Sequence, residues 1–307
     1  MAEDRRGQRP SRSGSGSARG SSAARGGQRS DARGGRGSVG GKPTGGKPTG
    51  GKPTGGKRSG GAPQRGHHGR TPDKQPRTAD QAAYDGPDLP EDITGVELDR
   101  GVRAQLKGLP EKLAARVARH LAAAGAFIDE DPELAYRHAR AARARAARIA
   151  VVREAAGETA YAAGHYAEAL AELRAAKRMN GATDYLPIMA DCHRALGNPE
   201  QAIKLAKSPS VANFSSEAKA EMTLVEAGAR RDMGQLDAAL RTLELAPLTS
   251  KSRAAWVVRL RYAYADTLEA AGRESDALAW FHRTHAIDSD ELTDSAERAE
   301  VLERRQS

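Results

Sequence analysis

The segment GHYAEALAELRAA, Gly164 to Ala176, carries the clearest structural signal of the chain. Its apolar and small residues recur every three or four positions, which is the spacing of one face of an α-helix. Ala169 follows the opening glycine by five residues, and Leu173 lies one helical turn further along the same face. Because glycine readily adopts the left-handed backbone in which many helices end, the stretch predicts the turn and the second helix of a helical hairpin.

The same pattern of glycine, alanine and packing residue occurs in four segments. The glycines are spaced by 33, 37 and 38 residues, and an earlier fifth unit keeps two alanines but has Glu130 in place of the glycine. Neither helix of such a hairpin buries its apolar face alone, so we expect successive hairpins to stack into a right-handed solenoid. The residues are Gly164, Ala169, Leu173; Gly197, Ala202, Ala206; Gly234, Ala239, Leu243; Gly272, Ala277, Phe281; and, in the earlier unit, Ala135 and Ala139.

These positions resemble the tetratricopeptide repeat family over residues 116–290. The early Trp, the Leu-Gly pair and the closing Pro of the family are mostly missing. The whole sequence is also similar to actinobacterial proteins of this kind with a basic, Gly- and Arg-rich N-terminal tail, a similarity that carries no known activity. The resemblance implies an all-α fold, a right-handed α-solenoid of about five helical hairpins with capping helices. It is closest at Gly157, Gly164, Tyr166, Ala169, Leu173 and Ala176.

The charge divides the chain into two parts. Residues 1–86 contain 18 Lys and Arg against 6 Asp and Glu, whereas residues 87–307 contain 31 against 34. The first part also has 22 of the 33 glycines and no Leu, Ile, Phe or Trp. It cannot bury enough apolar surface to offset the entropy of ordering its backbone. We therefore predict a disordered, basic, low-complexity tail over residues 1–86 and a helical repeat domain over residues 87–307.

The ends of the repeat domain carry signals of their own. Thr94-Gly-Val-Glu97 has the spacing of a capping box, which predicts that a helix begins there. Residues 70–93, with several prolines and acids, are expected to form a linker. At the other end, TDSAERAEVLERR from Thr293 predicts a polar amphipathic helix that closes the last hairpin against water.

No motif of the chain predicts catalysis. The eight histidines have no metal-ligand spacing, and the nucleophile-elbow, Walker and Rossmann patterns are missing. The single cysteine, Cys192, is expected to be a small buried thiol. We therefore expect a protein that is not an enzyme, with no metal, no cofactor and no small-molecule substrate.

The sequence also favours a cytoplasmic location and no membrane partner. No window approaches the roughly 18 consecutive apolar residues that a membrane span requires. The N-terminus lacks the apolar core of a secretory signal. One cysteine excludes an intrachain disulfide, which suits a reducing compartment.

The resemblance implies binding in a groove. In the family the first helix of each hairpin lines the concave side, and alignment on the glycines places more acids than bases there. This balance suits a basic or mixed-charge peptide better than a C-terminal carboxylate, although ordinary solvated helix charges would give the same pattern. The groove candidates are Glu154, Glu158, Tyr161, Asp184, Asp191, Arg194, Glu221, Arg231, Arg259, Tyr262, Asp266 and Glu269.

Two basic features suggest a polyanion as a further partner. The tail, with its Arg-Gly-Gly and GGKPT units, resembles RGG-type segments and would give weak, sequence-tolerant attraction to RNA, or it is a solubilising extension. Arginines of the segment ELAYRHARAARARAARIAVVR fall within roughly 140° of a helical wheel, or their stems simply cover an alanine-rich helix. The candidates are Arg25, Arg33, Arg36, Lys42, Lys47, Lys52 and Lys57 in the tail, and Arg137, Arg140, Arg145 and Arg148 in the helix.

Two functional interpretations follow from these features. The favoured one is a scaffold that binds a protein or peptide segment in its groove, while the tail adds loose attraction to a polyanion. The opposite charges of the two parts also predict transient contacts between the tail and the groove. The alternative is an RNA-associated protein in which tail and arginine stripe form one phosphate-binding surface.

Overall fold

The computed structural model describes residues 85–306, so the predicted tail lies almost entirely outside the described range. Within it the chain is all-helical, as predicted, with twelve α-helices, one short 3-10 helix (Pro209–Asn213) and no strand. None of the helices of this range is both long and apolar enough to span a membrane. The helices are α1 (Arg100–Leu106), α2 (Glu111–Phe127), α3 (Pro132–Ala146), α4 (Ala150–Ala162), α5 (Tyr166–Asn180), α6 (Leu186–Ala195), α7 (Pro199–Ala206), α8 (Ser216–Asp232), α9 (Leu236–Glu244), α10 (Ala255–Ala270), α11 (Glu274–His285) and α12 (Ser295–Gln306).

The helices pack in the order of the chain. Each helix from α1 to α11 contacts the helix that follows it, and alternate helices touch as well: α2 with α4, α4 with α6, α6 with α8, and α8 with α10. Helices α4, α6, α8 and α10 are the first helices of successive pairs. Because each touches the next, they form a continuous row, which we call the first-helix row.

The predicted glycine turns are confirmed at all four positions. The glycines have φ values of 79°, 75°, 72° and 75°, in the left-handed region. At the first turn the His165 amide donates to the Ala160 carbonyl at 2.8 Å, and the Gly164 amide donates to the Tyr161 carbonyl at 3.0 Å. The same two hydrogen bonds recur at the other three turns. A shared backbone geometry, which glycine adopts without strain, therefore joins the helices of four pairs.

Small residues set the distance between the paired helices. The alanines that follow the glycine turns are fully buried, including Ala169 and Ala277. On α4, a Cβ added to Gly157 would lie 2.5 Å from the Leu173 Cγ of α5. The two helices thus approach closely where the sequence has its smallest side chains.

Replacing Ala169 or Ala277 with leucine is expected to lower the free energy of unfolding by roughly 1–3 kcal/mol, because the extra methyl groups overpack a filled contact. Urea denaturation followed by circular dichroism measures the change. Ala171→Leu is the matched control, since Ala171 is exposed on α5, and it should stay within about 0.5 kcal/mol. Neutral results for both buried alanines would contradict the helix register.

The first helix begins later than the capping-box pattern predicts. Helix α1 starts at Arg100, and Asp99 caps it by accepting a hydrogen bond from the Gly101 amide at 2.6 Å. The Glu97 carboxylate instead accepts from the Thr94 amide at 3.0 Å. These contacts hold the pKa of Glu97 at about 2, with the Thr94 backbone hydrogen bond as the main cause. The predicted helix start at Thr94 is wrong because Glu97 closes a turn there.

Residues 85–98, which we call the strap, pack on the body. Ile93 is buried against α2. The Arg119 guanidinium donates to the backbone carbonyls of Ile93 at 2.6 Å and Pro90 at 2.7 Å. The part of the strap that the sequence assigns to a linker is thus held by burial and by hydrogen bonds from α2.

The predicted C-terminal helix is confirmed as α12. Leu302 is fully buried and Ala299 nearly so, in the cluster that includes Phe281 of α11. The Arg298 guanidinium lies 4.9 Å from the centre of the Phe281 ring. One apolar stripe of an otherwise polar helix therefore covers the last pair.

Candidate functional site

Polar contacts join neighbouring helices along the first-helix row. The Tyr161 hydroxyl of α4 donates to the Asp191 carboxylate of α6 at 2.6 Å. Arg194, also on α6, pairs with Asp191 at 2.8 Å and with Asp232 of α8 at 2.8 Å. The row brings these predicted groove residues together, and it adds Asp232, which the sequence did not single out.

The contacts continue between α8 and α10. Arg231 of α8 pairs with Asp266 of α10 at 2.5 Å. Arg259 of α10 pairs with Glu221 of α8. Burial raises the pKa of Glu221 even though Arg259 opposes that shift.

Helix α12 supplies the last partner. Its Arg298 reaches Asp266 at 2.9 Å, Glu269 at 2.6 Å and the Tyr262 hydroxyl at 3.2 Å. Burial raises the pKa of Asp266, but hydrogen bonds from Arg231 and Arg298 outweigh burial and leave it below its ordinary value. Most of the predicted groove charges on α6, α8 and α10 are thus paired with one another or with α12, so they stabilise the row.

The α4 end of the row differs from the rest. We call Glu154, Glu158, Asp184 and Tyr185 the acidic end. Within residues 85–306, no ion pair involves any of its three carboxylates. The Asn180 amide donates to Glu154 at 2.6 Å, and Tyr185 lies close enough to Glu158 to affect its pKa. These four residues are therefore the part of the row whose charge is open to a ligand.

Glu158 is the most perturbed carboxyl of this end. Burial, and next the neighbouring Glu154, raise its pKa from 4.5 to about 7. Burial and the same two carboxylates also raise the pKa of Tyr185, so the phenol stays protonated at neutral pH. A negative charge on Glu158 is costly here because it is partly removed from water and lies beside another acid. A cation placed between the two glutamates would remove that cost.

The structure divides the predicted arginine stripe of α3. Arg137 and Arg140 are exposed on α3, whereas Arg148 is exposed in the turn after it, because α3 ends at Ala146. Arg145 is turned inward, with only 3% of its side chain accessible, and lies 3.6 Å from Asp85 of the strap. Arg145 therefore packs the strap and does not belong to the exposed stripe. The tail candidates, Arg25 to Lys57, lie outside the described residues.

The structure shows the surroundings of the side chains that could bind a metal ion or act as a thiol nucleophile. No group of three or more His, Cys, Asp or Glu residues there could hold a metal ion. Cys192 is buried, as predicted, and burial raises the pKa of its thiol to about 12. The Cys192 thiol is therefore protonated at neutral pH and is not a nucleophile. His282 is on the surface, where it contacts Glu303 at 3.0 Å.

One buried polar pair was not predicted from the sequence. His120 of α2 and His138 of α3 face each other, with their Nδ1 atoms 3.1 Å apart. Eighteen residues separate them, and neither stands in a recognised motif. Only the packing of α2 on α3 brings them together, so no local signal could have found them.

Comparison with known proteins gives no assignment: no family model and no curated protein matches the chain. The tetratricopeptide resemblance stays a prediction. The acidic end and the paired remainder of the first-helix row are therefore the basis for a functional assignment.

Proposed function

We propose that this chain is a non-enzymatic adaptor of the tetratricopeptide type, whose first-helix row binds a basic segment of a protein partner. The observation that carries the proposal is the contrast along the row. Most of the predicted groove charges on α6, α8 and α10 are paired with partners within the chain, whereas the acidic end has three carboxylates and no described cation. A solenoid in which the row lines a concave groove is the architecture that this proposal assumes.

The acidic end fits a lysine or arginine side chain. An ammonium or guanidinium group keeps its positive charge at neutral pH. Placed between Glu154 and Glu158, it would offset the repulsion between the two carboxylates. The Tyr185 ring offers an aromatic surface to the same cation. Charged hydrogen bonds in a partly desolvated site are stronger than those at the open surface.

The rest of the row supports such binding by holding its helices in place. Arg194 joins α6 to α8, Arg231 joins α8 to α10, and Arg298 fixes α12 on α10. A surface that is ordered before the ligand arrives loses less entropy on binding. The paired charges therefore contribute to function through rigidity, and the unpaired ones through contact.

A peptide of residues 40–57, which carries four lysines, is a defined probe for this site and for the predicted contact between tail and groove. We expect it to bind residues 85–307 weakly at low salt. The double substitution Glu154→Gln, Glu158→Gln should weaken binding about tenfold, since it removes two half-buried ion pairs that contribute roughly 0.7 kcal/mol each. Fluorescence anisotropy of the labelled peptide measures the affinity.

The matched control removes the same two charges elsewhere: Glu200→Gln with Glu297→Gln, both exposed and away from the acidic end. This variant should change the affinity less than twofold. A peptide with glutamine at all four lysine positions should not bind. Equal losses in the two double variants would reduce the effect to net charge and would contradict a site at the acidic end.

A second candidate function is RNA association. It is favoured by three exposed arginines that make no ion pair within the described range: Arg137 and Arg140 on α3, and Arg148 in the turn after α3. Arg140 lies over the Tyr136 ring at 5.6 Å. Filter binding of an RNA oligonucleotide to the full chain and to residues 85–307 separates the two functions. Affinity that survives removal of residues 1–84 favours RNA association, whereas affinity lost with them assigns RNA to the tail.

A further inference from the structure

The buried histidine pair between α2 and α3 is the feature on which this inference rests. The rings of His120 and His138 are 0% and 1% exposed. With their Nδ1 atoms 3.1 Å apart, one ring must donate its Nδ1–H and the other must accept with a bare nitrogen. The His120 Nε2 is buried without a hydrogen-bond partner. The pair is therefore held together only while the accepting ring is neutral.

The charges around the pair are mostly positive. Arg116 and Arg119 of α2, with Arg145 of α3, are near enough to lower the pKa of His120, and Arg137 of α3 lowers that of His138. From the strap, Asp85 approaches the group, and it lies 3.6 Å from Arg145. A further positive charge on either ring would be buried and would be repelled by these arginines.

The strap closes the site over the pair. Gly86 has φ 73°, and a Cβ there would lie 2.4 Å from the Ala141 Cβ and 3.0 Å from the His120 Cε1. The Arg116 guanidinium donates to the Asp85 carbonyl at 3.3 Å. The strap thus packs directly against the imidazole of His120.

We propose that the His120–His138 pair is a pH-sensitive latch, in which uptake of a proton by the accepting ring releases the strap from α2 and α3. The proton comes from solvent and binds the bare Nδ1, so the two rings then present N–H groups to each other. Their hydrogen bond is lost, and the new imidazolium is buried and repelled by the nearby arginines. Departure of the strap hydrates the charge.

The pKa values agree in direction with this geometry. Burial, then His138 and Arg145, lower the pKa of His120 from 6.5 to about 4. Burial and Arg137 lower that of His138. With the strap released, the rings return towards 6.5. The docked state therefore has its full advantage above pH 6.5 and loses it as the pH falls towards 4.

Release has a consequence beyond the first-helix row. Ile93 of the strap lies on Ala123 and Phe127 of α2, so this apolar face becomes accessible when the strap leaves. The strap also connects the body to the residues before it. The latch makes the attachment of that connection depend on pH, which is a property separate from peptide binding at the acidic end.

Hydrogen exchange of the full chain at pH 7.5 and 5.5, corrected for intrinsic exchange rates, tests the latch. The free energy of strap opening should be lower at pH 5.5 than at pH 7.5. Protection of the strap amides should therefore decrease about tenfold at the lower pH. One such amide is the Ile93 N–H, which donates to the Pro90 carbonyl. Amides of α10 should change less than twofold. Equal changes in strap and α10, or no change in the strap, would overturn the proposal.

Two further measurements test whether the histidine pair causes the pH response of the strap. The variant His120→Gln with His138→Gln should lose the pH response, whereas His165→Gln with His282→Gln, at two histidines outside the core, should keep it. If the first variant does not fold, NMR titration of the ring Cε1–H signals in the unmodified chain decides. Ring pKa values below about 5 support the latch, and ordinary values near 6.5 overturn it.

Discussion

Replacing Phe281 with alanine is expected to lower the free energy of unfolding by about 3–5 kcal/mol. The ring is completely buried and packs edge-on against Tyr262 at 5.7 Å. It also lies under the Arg298 guanidinium of α12. Alanine would leave a cavity between α10 and α11 and would remove the surface on which Arg298 rests. Urea denaturation of the full chain, followed by circular dichroism, measures the loss.

His285→Ala is the matched control on the same helix, because His285 is exposed near the end of α11. It should stay within about 0.5 kcal/mol of the unmodified chain. Phe281→Leu, which keeps most of the volume, should lie between the two. A loss below about 1 kcal/mol for Phe281→Ala would place the ring outside the core and would break the equivalence of the four repeated segments.

The fold could be predicted because its signals are local. Glycine at position 164, and at its three equivalents, allows a backbone conformation that other residues rarely adopt. The turns can therefore be predicted from the sequence. A buried alanine five residues after each glycine, with a packing residue one turn later, then defines the contact face. The predicted helix start at Thr94 was wrong because Glu97 can cap a turn as well as a helix. The sequence spacing is the same in both cases and does not distinguish them.

The site could be predicted only in part. Helical spacing places Asp191, Arg231 and Asp266 on the first helices, but it does not say whether their charges are free or paired. Pairing depends on the approach of helices that are 30 to 40 residues apart in sequence. Arg298 was missed because it belongs to the capping helix, outside the repeat alignment. Arg145 was misplaced because the strap covers its side of α3.

The affinity of residues 85–307 for the peptide of residues 40–57 is expected to rise about tenfold from pH 5.5 to pH 7.5. The free site holds Glu158 with a pKa of about 7, so it is mostly protonated at pH 5.5. A lysine ammonium binds the ionised carboxyl, and binding must then release that proton. Below pH 7 each unit of pH weakens binding by up to tenfold. Lysine itself, with an ordinary pKa near 10.4, stays charged throughout.

The same shift has the opposite effect on stability. The pKa of Glu158 in the folded chain lies above its ordinary value of 4.5, so its contribution is fully present below pH 4.5 and is lost as the pH rises through 7. Glu158→Gln should therefore make the chain more stable above pH 7 while it weakens peptide binding. A substitution that stabilises the fold and impairs binding is the behaviour of a residue kept for contact with a ligand.

Anisotropy titrations at pH 5.5, 6.5 and 7.5, at constant ionic strength, measure this linkage. Glu158→Gln should bind weakly and with little pH dependence, because the proton that couples to binding is gone. Glu200→Gln, which removes an exposed charge on α7, should keep the slope of the unmodified protein. A slope that persists in Glu158→Gln would assign the proton to another group, such as the histidine latch. An affinity independent of pH in the unmodified protein would show that the peptide does not contact Glu158, and the binding site would then lie elsewhere on the chain.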